Sequence, residues 1–116
     1  MKYSMFIGRW QNWHQGHEWL IGQRIAKGKK ILICIRDVEP DENNPRTAQE
    51  IYDHLSEHLE QRIAAGEIKL IIIPDIESVN YGRGVGYEII EHAPPEKIKG
   101  ISGTKIREEE KWKNKN

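Results

Sequence analysis

The chain has a single cysteine, no net charge and no long apolar run. Each shortage excludes something. The lone Cys34 forms no internal disulfide. Within the apolar run ILICI it reads as a buried, inert thiol, which fits a reducing cytoplasm. Eighteen Lys and Arg balance eighteen Asp and Glu. That argues against a general nucleic-acid binder, which would be basic, yet leaves room for a local basic pocket holding a small anion. No run approaches the ~20 apolar residues of a membrane-crossing helix. The opening MKYSMFIGRW has neither an apolar signal core nor a small-residue cleavage site. The expectation is a cytoplasmic protein with no membrane or nucleic-acid partner.

What is present suits one domain: 116 residues bury one core with little to spare. Residues 1–112 read as that domain and 113–116 as a frayed tail. Residues 3–8 read as a short apolar strand. Residues 17–27 read as a helix, with Ile21 and Ile25 one turn apart and Gly28 as its stop. KILICI, residues 30–35, is nearly continuous in apolar character, as strands covered on both faces are. A polar loop follows. TAQE, Thr47 to Glu50, is a capping-box pattern, after which Ile51, Leu55, Leu59 and Ile63 recur every four residues until Gly66. IKLIII, residues 68–73, is a third buried strand. Residues 87–92, YEIIEH, form a further candidate strand, and ISGTKIR, residues 101–107, opens a last helix.

Strand, helix, strand, helix, strand predicts an open α/β sheet with right-handed crossovers. We expect a compact, Rossmann-like, doubly wound parallel sheet in three α/β/α layers, shortened after the third strand. In such sheets ligands sit beyond the carboxyl ends of the strands. The loops after Gly8, Ile35 and Ile73 are therefore the ones to watch.

The first of these carries HQGH. His14 and His17, three apart at a helix start, share one face, and Gly16 lets another group approach the backbone. Free N–H groups and the positive end of the helix dipole gather there, so neutral imidazoles beside them suit phosphate oxygens. A surface or capping role is the plainer alternative. A zinc site would need a third ligand. His54 and His58, four apart on the second helix, lack the acid that a metalloprotease helix carries and read as a solvated face. Trp19 reads as core, and Trp10 and Trp13 as walls of a cleft.

The second clue is ISGTKIR. Ser102 or Thr104 can cap a helix, which puts Lys105 and Arg107 in its first turn. Cations there oppose the dipole by a few tenths to about 1 kcal/mol each. The choice makes sense if an anion docks on that turn.

The two motifs, in this order, resemble those of the HIGH-superfamily nucleotidyltransferases, the cytidylyltransferase-like fold. Those proteins carry HxGH after the first strand and an ISGTK-R type motif near the C-terminus. Gly8-Arg9-Trp10-Gln11 resembles the GRFQP lead-in of nicotinamide-nucleotide adenylyltransferase-like proteins, and NPRTAQE, residues 44–50, resembles their NPFTAxER segment. ISGTKIR is also similar to a stretch of ATP sulfurylases, and to ISTTKI of glycerol-phosphate cytidylyltransferases. The resemblance covers residues 3–73 and 100–112. Asn12 departs from it where a proline is usual, as do Trp10 and Trp13 where smaller aromatics are usual. The stretch 74–99 is too short for the helix and strands that relatives fit there.

The resemblance implies a nucleotidyltransferase that moves a nucleoside monophosphate onto a small phosphorylated acceptor with release of pyrophosphate. AMP from ATP is favoured. A CTP-dependent cytidylyltransferase, or a nucleotide-binding module without catalysis, is the alternative. His14, His17, Lys105 and Arg107 would be catalytic. Gly8, Arg9, Trp10, Gly16, His17, Ser102, Gly103, Thr104 and Arg107 would hold the nucleotide. Mg2+ would arrive on the triphosphate, with no metal site of the protein's own. By position, Arg36 and Asp37 at the end of the second strand, and Arg83 in a glycine-rich loop, are candidates for the acceptor. A homodimer is expected.

Overall fold

A computed structural model describes residues 2–95. Three strands and three helices alternate as β1 (Tyr3–Gly8), α1 (Gln15–Ile25), β2 (Lys30–Asp37), α2 (Ala48–His58), α3 (Glu60–Ala64) and β3 (Ile68–Pro74). The strands form one parallel sheet in the order β1-β2-β3. Phe6 stands opposite Ile33, and Ile33 opposite Leu70.

Residues level with one another in a parallel ladder point to the same face. That puts Phe6, Ile31, Ile33, Ile35, Ile68 and Leu70 on one side, where they form a single core with Ile21 of α1, and Ile51 and Leu55 of α2. Both crossovers step the same way along the sheet, and right-handed connections then place both helices on the same face. The described residues thus make two layers: one sheet and one bank of helices. On the opposite face Tyr3, Met5 and Ile7 of β1 remain exposed, although Cys34 on that face is fully buried and burial pushes its thiol pKa up.

Two glycines close the helices. Gly28 (φ 73°) and Gly66 (φ 78°) take the left-handed conformation that a side chain resists. The N–H of the next residue then turns back: Lys29 donates to the Arg24 carbonyl and Glu67 to that of Arg62. The capping box at Thr47 is present in full, with Thr47 Oγ1 accepting from Glu50 N–H and Glu50 Oε1 accepting from Thr47 N–H. The helix after it is not continuous. Leu59 leaves helical geometry (φ −106°, ψ 18°) while staying buried, and the chain resumes as α3 with Ile63 N–H still donating to the Leu59 carbonyl.

Residues 87–92 form no strand. Their apolar side chains, Tyr87, Ile89 and Ile90, stand exposed, and among the described residues no neighbour supplies the ladder that a strand requires. The expected last helix lies outside the described residues. Among the described residues no helix is long and apolar enough to cross a membrane.

Candidate functional site

The loop from β1 to α1 begins with a backbone constraint. Trp10 has φ 56°, the left-handed region that costs a non-glycine residue about 1–2 kcal/mol. The cost is offset because the turn drives the indole into the core, 7% exposed, where Nε1 donates to the Cys34 carbonyl at 3.0 Å. Gly8 makes room for it: a Cβ there would lie 3.1 Å from the indole. Trp10, expected in a cleft wall, is therefore a core residue. Trp19, expected in the core, is only half-buried. Trp13 packs on the core's edge.

On this aromatic floor sit the two histidines. The His17 ring meets Trp10 edge-on, with centroids 5.0 Å apart, and tilts against Trp13 at 5.1 Å. His14 stacks on His17 at 3.9 Å and 21°. His14 is the N-cap of α1, and its Nδ1 accepts from Gly16 N–H at 3.0 Å. His17 Nδ1 in turn accepts from His14 N–H at 3.3 Å. This is a capping box built from two imidazoles.

The box fixes the chemistry of both rings. A nitrogen that accepts from a backbone N–H carries no proton, so in the neutral rings the proton resides on Nε2. Among the described residues neither Nε2 has a hydrogen-bond partner, and no buried side-chain nitrogen lacks one. Neither Nε2 is thus engaged by the described part of the chain. Neutrality is enforced too: His17 is lowered to about 4, first by burial and then by His14, against an opposing pull from Glu18. Burial lowers His14 as well.

The helix amides play less part than the sequence suggested. Gly16 N–H goes to the His14 ring, and the N–H groups of His17 and Glu18 both go to the His14 carbonyl. The donors presented at this helix start are chiefly the two Nε2–H groups.

Three supports were not legible in the sequence. Glu18 accepts from Trp13 Nε1 at 2.7 Å and from Arg62 Nη1 at 2.8 Å. Burial alone would raise its carboxyl; those two donors hold it below its ordinary value. Gln11 is the buried polar residue of the core. Its side-chain amide pairs with the backbone of Arg46 in both directions, at 2.9 and 3.0 Å, and Arg46 Nη1 returns to the Gln11 carbonyl and to Asn12 Oδ1. Arg9 leans on the same loop through Asp41 at 3.7 Å and the Glu39 carbonyl at 3.4 Å. The loops after β1 and β2 are thereby bound together over the carboxyl end of the sheet. The only advance signal was that GRWQ and NPRTAQE both fall in loops at that end.

The acceptor candidates are not gathered there. Arg36 does lie at the carboxyl end of β2, but its register puts it with Ile7 on the face away from α1 and α2. Its guanidinium is held by Asp75 Oδ1 at 2.6 and 3.1 Å. Asp37 is exposed beside it. Arg83 lies at the other end of the sheet, lining a cavity with Tyr3 and Lys29, so it is not beside the histidines as an acceptor residue would be. His54 and His58 stand exposed on α2, as expected. Ser102, Gly103, Thr104, Lys105 and Arg107 lie outside the described residues. Among the described residues no group of three or more His, Cys, Asp or Glu could hold a metal ion.

No family model, curated protein or solved structure matches the chain.

Proposed function

We propose that the chain is a nucleotidyltransferase acting on a small phosphorylated acceptor, with ATP as the favoured donor and pyrophosphate as the leaving group. The observation that supports it is the locked pair of imidazoles at the carboxyl end of β1. Two neutral Nε2–H donors, held by a shared capping box on an aromatic floor, suit a triphosphate. As the acceptor oxygen attacks the α-phosphorus and the bond to pyrophosphate breaks, charge grows on the bridging and terminal oxygens. Donors already in place strengthen at that moment without reorganising. On this reading His14 and His17 are the catalytic residues within the described chain. ISGTKIR supplies the rest, with Lys105 and Arg107 on the departing pyrophosphate.

Magnesium would accompany the nucleotide. Glu18, the carboxylate next to His17 in the chain, has its oxygens engaged by Trp13 and Arg62, so the ion would be carried on phosphate oxygens. The same reading takes β1 as the centre of a doubly wound sheet. The exposed face of Tyr3, Met5 and Ile7 would then be covered by a second layer or by the second copy of a homodimer.

Pyrophosphate release from each of the four nucleoside triphosphates with Mg2+, against a panel of phosphorylated acceptors, tests the proposal. Turnover with ATP is expected. Tight ATP or CTP binding without turnover on any acceptor would favour the binding-module alternative.

A further inference from the structure

A cavity lies at the opposite end of the sheet from the histidines. It is bounded by the start of β1, the turn before β2 and the loop 81–88, and encloses about 680 Å3, within the range of ligand pockets. The length of β1, roughly 17 Å at the rise of a strand, separates it from HQGH.

Its charge is one-sided. Among the described residues Lys2, Arg24, Lys29 and Arg83 line it against one carboxylate, Glu88, in a chain whose net charge is zero. Arg24 gives its Nε to Ser4 Oγ at 3.3 Å, which anchors the side chain and leaves its terminal nitrogens without a partner among the described residues. The loop opposite is YGRGVGY. Apart from Val85, which closes the hydrogen-bonded turn at Arg83 and Gly84, the backbone N–H groups of residues 81–88 have no carbonyl partner among the described residues. Tyr81 and Tyr87, which bracket the glycines, expose 64% and 58% of their surface.

Cations on one wall, open amides and two aromatic faces on the other, suit a ligand with phosphates at one end and a flat ring at the other. Phosphate is held by charge and N–H donors. A base stacks on an aromatic face for about 1–3 kcal/mol. A free phosphate would leave the tyrosines unused, and a long polyanion would meet a protein with no net positive charge.

We propose that this basin binds a nucleoside diphosphate, with its phosphates on Arg24, Lys29 and Arg83 and its base on Tyr81 or Tyr87. Glu88 is placed to accept from ribose hydroxyls. The site is separate from the proposed reaction centre and stands or falls independently of it.

Titration of the 15N-labelled chain with ADP, followed through the amide resonances of Gly82, Gly84 and Gly86, tests the assignment. These resonances should shift saturably in the wild-type chain and equally in His17→Asn. In Lys29→Ala/Arg83→Ala the affinity should fall at least tenfold. Both positions are exposed, so the fold should persist, which the unchanged spectrum of the ligand-free variant will verify. Shifts confined to Gly16 and its neighbours, or equal affinity in the double variant, would overturn the proposal. So would pyrophosphate binding as tightly as ADP, or a response to single-stranded RNA but not to ADP.

Discussion

His14 and His17 stack with their ring centres 3.9 Å apart, and each points Nδ1 at a backbone N–H of the turn that carries the other. Capping and the proposed chemistry therefore use different nitrogens of the same rings. Asparagine separates the two jobs, because its Oδ1 can stand where Nδ1 stood while nothing reaches the Nε2 position. His14→Asn should keep the melting temperature within a few degrees, asparagine being a good N-cap. His17→Asn, at the third helical position, keeps an acceptor for His14 N–H but loses the ring that packs on Trp10 and Trp13, and should lower it further while leaving the chain folded. Each should lower nucleotidyl transfer by about 10²–10³-fold, the usual cost of removing one preorganised donor. Transfer at the wild-type rate in both variants would refute the assignment.

Stability should depend on pH through His17. Its ordinary value is 6.5 and the fold holds it at about 4, so between these values the unfolded chain binds more protons. The contribution is therefore fully present above pH 6.5 and is lost as pH falls toward 4. Allowing for the ring's remaining exposure, it amounts to something on the order of 2 kcal/mol. Urea denaturation at pH 7.5, 6 and 5 should show the midpoint falling, with a shallower fall in His17→Asn. Parallel profiles in the two proteins would exclude His17 as the source.

Gly8 should tolerate no side chain. A Cβ there would come within 3.1 Å of Trp10, whose indole is wedged in the core and tied to the Cys34 carbonyl. Gly8→Ala should cost about 1–3 kcal/mol, the range for overpacking. Because Trp10 also seats His17, the shift should appear in Trp fluorescence as well as in the melting curve.

Gln11 should matter more than a loop glutamine normally does. Its buried amide satisfies both the N–H and the carbonyl of Arg46, so Gln11→Ala leaves backbone groups unpaired at about 1–3 kcal/mol. Hydrogen exchange at Arg46 should accelerate along with that loss. An unchanged exchange rate would mean that the loop after β2 is held by Arg9 and Asp41 instead.

Much of the fold was written in local pattern. The apolar runs around Phe6, Ile33 and Leu70 became the three strands because continuous apolarity suits a parallel sheet. TAQE became a capping box because threonine and glutamate three apart satisfy each other's N–H groups within one turn. HQGH was legible as a helix start on the same grounds, although its histidines supply the cap as well as the face.

Residue type and spacing therefore determined the elements, their parallel order and the loop that carries the histidines. The tertiary structure alone decided what surrounds them. It made Trp10, and not Trp19, the core tryptophan, because a left-handed turn at residue 10 aims the indole at Cys34. It paired Arg36 with Asp75 and carried Arg83 to the far end of the sheet, and it left residues 87–92 without a ladder. Helix caps and apolar periods are satisfied within a few residues and so can be read along the chain. A buried indole, an ion pair or a strand edge is satisfied by partners tens of residues away, which only the folded chain brings together.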